Sequence, residues 1–61
     1  MTQAQQKEMK GRVQIHQGLA LDNMMRAISA TDEAEKSRFI DLKSINTDIA
    51  SDFAIRLQEA I

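Results

Sequence analysis

A mainly α fold, with a short N-terminal strand ahead of two helices, is the class this sequence predicts, and three observations carry it. The chain has 61 residues and no Pro, so no ring interrupts a helix. Apolar residues recur at three- and four-residue spacing from Leu19 onward, as they do on a helix with one buried face. Ahead of them stands GRVQIHQG, residues 11–18, which holds both glycines and the single His. Between those glycines polar and apolar side chains alternate, which is the period of a strand.

Residues 1–10, MTQAQQKEMK, are polar and Gln-rich. They read either as a frayed terminus or as the start of a helix, and 11–61 as a single small interaction domain. Residues 12–17 read as the strand. Its β-branched Val13 and Ile15 point one way, and Arg12, Gln14 and His16 the other. Two Gly cost about 1 kcal/mol each inside a helix but sit naturally at strand ends. A lone strand needs a ladder partner, and a second copy of the chain supplies one. Val13 and Ile15 are then dimer-strand residues, and the molecule is an intertwined homodimer. The competing reading extends Met9, Val13, His16, Ala20 and Met24 into one long first helix, with Glu8–Arg12 as an i,i+4 pair. Its product is a helical hairpin that dimerises into a four-helix bundle.

The first helix of the preferred reading spans 19–29. Ala20, Leu21, Met24, Met25, Ala27 and Ile28 set its spacing, and Asp22 with Arg26 adds an i,i+4 pair. The stretch SATDEAE then reads as a stop and restart. Thr31 is the expected N-cap, and Asp32, Glu33 and Glu35 place negative charge where the helix dipole favours it. The second helix is expected over 32–59. Its stripe is Phe39, Leu42, Asn46, Ile49, Phe53, Leu57 and Ala60, widened by Ile45 and Ala50. This stripe is the expected dimer and core surface, and an Asn at such a seam commonly sets register. Ile40 and Ile55 fall away from the stripe. Together with Met24 and Met25 they form a candidate groove for a partner protein, since Met-rich apolar surfaces accommodate varied partners.

Composition excludes several classes of function. A chain this short is marginal alone by surface-to-volume scaling. With no Cys and one His, neither disulfides nor a structural zinc can brace it, which leaves association with another chain. Absence of Cys suits a reducing compartment. The apolar runs are too short to span a bilayer, and Met1–Gly11 lacks the apolar stretch of a signal peptide. A cytoplasmic protein is expected. Residues 1–16 carry Lys7, Lys10 and Arg12 against Glu8, whereas 32–61 carry seven acids against four bases. Neither end has the dense basic stripe of a nucleic-acid binder. Ser29, Ser37, Ser44 and Ser51 have no His in sequence-plausible partnership, and acids such as Asp48 and Asp52 read as a solvated helix face. No enzymatic activity, cofactor, metal or small-molecule substrate is expected.

Two resemblances follow from this layout. Strand 12–17, helix 19–29 and a helix from 32 resemble the ribbon-helix-helix DNA-binding repressors. There the ribbon enters the major groove, and the resemblance makes Arg12, Gln14 and His16 the base readers. The chain departs from that family in having no Gly-containing turn between its helices. It also places Asp32, Glu33 and Glu35 where a phosphate would sit, which is the wrong sign for a polyanion. In size, composition and layout the chain is also similar to the small accessory proteins of the lambdoid phage early region. That resemblance implies a non-enzymatic regulator of host or phage proteins in a bacterial cytoplasm. The sequence therefore points to a small regulatory homodimer acting by protein–protein interaction, with the repressor as the alternative. A helical-hairpin adaptor or RNA binder comes third.

Overall fold

The computed structural model describes residues 1–59 and contains two antiparallel helices, α1 (Gln3–Ser29) and α2 (Glu33–Glu59), each of 27 residues. At about 1.5 Å per residue each is roughly 40 Å long. The hairpin is correspondingly thin, with extents of 46 × 14 × 10 Å.

The expected strand is not there. Residues 12–17 lie inside α1, and no strand occurs among the described residues. A strand at 12–17 would leave its backbone N–H and C=O groups without ladder partners within the chain, whereas a helix satisfies them locally. Neither Gly has a positive φ, so both glycines serve as ordinary helical residues. The alternation of Val13 and Ile15 has a helical meaning instead. Side chains two apart on a helix point in nearly opposite directions; Val13 is half-buried against α2, and Ile15 is exposed. With the strand goes the intertwined ribbon it implied.

Helix α1 begins earlier than 19 because its start is well capped. The Thr2 hydroxyl accepts from the Gln5 backbone N–H at 3.1 Å, and the Gln5 side chain accepts from the Thr2 N–H at 2.9 Å. This reciprocal capping box satisfies two donors that a helix start otherwise leaves open. Residues 1–10 thus belong to the helix from Gln3 onward. At the other end, the Ala30 N–H bonds to the Ala27 carbonyl and Ala30 is extended (φ −68°, ψ 136°). An extended residue needs no left-handed backbone, which explains a turn without Gly. The cap of α2 is Asp32 rather than the expected Thr31. The Asp32 carbonyl accepts from the Lys36 N–H at 2.9 Å, and its carboxylate accepts from the Ala34 N–H at 3.3 Å.

Along α1 the inward positions are Gln6, Met9, Val13, His16, Ala20, Asn23 and Ala27. Their alternating spacing of three and four is the heptad seam of a coiled coil. They meet Phe39, Asn46, Ile49, Ala50, Phe53 and Leu57 of α2. Leu42 sits at the margin, 38% exposed, and Ala60 of the expected stripe lies outside the described residues. Only Ala27 and Ala50 are buried among the described residues. Alanines at the contact let the two backbones approach closely, but they bury little apolar surface.

Candidate interaction surface

At mid-hairpin the seam is polar and aromatic. His16 Nδ1 lies 2.9 Å from Asn46 Oδ1, and Asn46 Nδ2 donates to the Leu42 carbonyl at 2.9 Å. That second bond orients the amide so that Oδ1 faces the imidazole as an acceptor for an Nδ1–H. The imidazole stacks on Phe53 with centroids 6.1 Å apart and planes at 21°. The Arg12 and Arg56 guanidinium carbons lie 5.8 and 5.9 Å from the Phe53 centroid, within the range of a cation–π contact. Each Arg also holds an acid one turn earlier on its own helix, at 2.9 Å in both Glu8–Arg12 and Asp52–Arg56. The single imidazole therefore joins the two helices through an amide.

These contacts separate the three residues of the ribbon reading. Arg12 is drawn to Glu8 and Phe53, and His16 turns into the seam. Gln14 lies in a cleft on the other side with Val13, Gln17, Ala54 and Leu57. Three residues on different sides of one helix cannot enter a groove as a ribbon does, so the base-reading trio is withdrawn together with the strand.

The hairpin has two broad faces, one on each side of the seam. The first is marked by the clefts that Lys10, Gln14, Gln17, Thr47 and Ala54 line. Steps of three and four from Gln17 reach Leu21, Met24 and Ile28, and from Thr47 reach Lys43, Ile40 and Lys36, so these share that side. The second face is marked by the cleft holding Glu8, Arg12 and Phe53. The same steps carry Arg12 to Ile15 and Leu19, and Phe53 to Ile49, Ile45 and Leu42. Of the groove candidates, Met24 and Ile40 lie on the first face at similar distances from the turn. Met25 is near the turn and Ile55 near the opposite end, about 27 Å apart along the axis.

Eleven large apolar side chains are exposed among the described residues, including Ile15 (60%), Ile28 (72%) and Ile45 (53%). The surface containing Ile15, Leu19, Leu42 and Ile45 was not legible as a unit in the sequence. Assigning Ile15 to a strand removes it from the helical period, and its i,i+4 partner Leu19 then begins a helix instead of continuing one. Among the described residues no group of three or more His, Cys, Asp or Glu is placed to hold a metal ion. None of the described helices is long and apolar enough to cross a membrane. Compared with protein-family models, characterised proteins and solved structures, the chain matches none.

Proposed function

We propose that this chain is a non-enzymatic regulatory protein whose working form is a homodimer of helical hairpins, acting on a partner protein by binding it. The observation that carries this reading is the mismatch between two buried alanines and eleven exposed large apolar side chains among the described residues. A compact body of this mass exposes about 4,000 Å², whereas the hairpin exposes 4702 Å². A compact body of twice the mass exposes about 6,600 Å², so close packing of two hairpins would bury on the order of 2,800 Å². That falls within the range of about 2,000–5,000 Å² common for obligate homodimers. The resemblance to phage early accessory proteins supports a host or phage protein as the regulated partner and a bacterial cytoplasm as the setting.

Sedimentation equilibrium at micromolar concentration tests the working form. Twice the chain mass of 6.9 kDa is the expected result, and a folded monomer across the whole range rejects the proposal. The hairpin is equally compatible with a second reading, a four-helix-bundle adaptor or RNA binder, because paired antiparallel helices are the half-unit of such a bundle. Affinity capture with and without nuclease separates the two. Nuclease-sensitive capture would favour RNA.

A further inference from the structure

We infer that a second copy docks on the face bearing Ile15, Leu19, Leu42 and Ile45, and that the face bearing Met24 and Ile40 stays open in the dimer. The inference rests on the homodimer reading above and adds which surface is used. Both helices contribute to the chosen face, since Ile15 and Leu19 of α1 lie beside Leu42 and Ile45 of α2, all four exposed. It is about 40 Å long and about two helix diameters wide, on the order of 800 Å² in flat projection, and its ridged side chains present more accessible surface than that, enough for at least a standard interface.

Charge decides between the faces. A twofold interface brings a patch against its own copy, residue i against j and j against i, so a face with a net charge meets that same sign. The three ion pairs among the described residues, Glu8–Arg12, Asp22–Arg26 and Asp52–Arg56, each at 2.9 Å, border the Ile15–Ile45 face. Arg12, Arg26 and Arg56 are each matched there by an acid on their own helix. Arg38, four residues before Leu42, shares the face without such a pair but with Glu35 three residues away. The face is therefore close to neutral, and two of them meet with little net repulsion. The opposite face carries Lys10, Lys36 and Lys43, none of which takes part in those pairs, against Glu33, three residues before Lys36, and so is net positive. Self-contact there would set one net positive face against another, with only Ile40 of α2 to meet Leu21, Met24 and Ile28.

The test needs no substitution at first. Methyl spectra of the intact protein are recorded with a soluble paramagnetic agent, at concentrations where the assembly is established by sedimentation. The methyls of Ile15, Leu19, Leu42 and Ile45 are expected to be protected, and those of Leu21, Met24, Ile28 and Ile40 to be broadened. Leu19→Lys or Ile45→Glu should then raise the dimer dissociation constant at least about 100-fold, because each would bury an unmatched charge. Leu21→Lys and Ile40→Glu should leave it within about threefold, as surface changes do. A dimer whose protected methyls are those of Leu21, Ile28 and Ile40 overturns the face assignment while the homodimer stands. A protein that is monomeric throughout overturns both.

Discussion

His16 and Asn46 show how one polar pair can tie two long helices together. The hydrogen bond between them spans thirty residues of sequence at 2.9 Å and is half-buried, so removing one partner leaves the other short of a bond it cannot fully regain from water. A double-mutant cycle of His16→Ala and Asn46→Ala should give a coupling of about 0.5–1.5 kcal/mol in urea denaturation. A coupling near zero would mean that each side chain merely fills space. The glycines behave oppositely. A Cβ built on Gly11 or Gly18 meets nothing within 4 Å, and neither residue has positive φ. Gly11→Ala and Gly18→Ala should therefore each stabilise the fold by up to about 1 kcal/mol through helix propensity. Melting temperatures that fall instead would reveal a close approach at these positions in the assembled protein.

Each helix is defined at its start by side-chain chemistry and along its length by a heptad seam. Asp32 makes the cap bond of α2, and Thr31, one residue earlier, makes no cap bond among the described contacts. Asp32→Ala should cost about 1 kcal/mol, while Thr31→Ala should change stability by less than about 0.5 kcal/mol. Chemical denaturation of the two variants side by side checks the order, and equal losses would shift the cap back to Thr31. Helix α1 is tested by backbone chemical shifts, which should be helical without a break from Gln3 to Ser29. An extended stretch at 12–17 in solution would restore the strand.

On the scale of the whole molecule, two helices in one layer cannot enclose a core, because each presents a side to solvent whichever way it turns. The exposed Ile15, Leu21, Ile28, Ile45 and Ile55 are the consequence. If a second copy covers one such face, folding and association become one equilibrium, and stability depends on concentration. The melting temperature should rise steadily as the protein is taken from about 1 to 100 μM, since each tenfold step is worth about 1.4 kcal/mol per dimer. A melting temperature unchanged over that range would mean that the hairpin stands alone.

The sequence by itself determined the helical class, the break near residue 31 and the stripe from Phe39 to Leu57. These rest on spacing, capping chemistry and the absence of Pro, all of which act within a few residues along the chain. It also carried the capping signal Thr2–Gln5 and the seam from Met9 to Ala20, yet a six-residue alternation at 12–17 outweighed them. Only the tertiary structure decided between strand and helix there, because α2 offers Val13 and His16 a long apolar and polar seam, while nothing in the chain offers a ladder. It likewise decided which side of each helix faces the same way. The partner of Ile15 and Leu19 is Leu42 and Ile45, more than twenty residues away, and that adjacency exists only once the chain has turned back on itself.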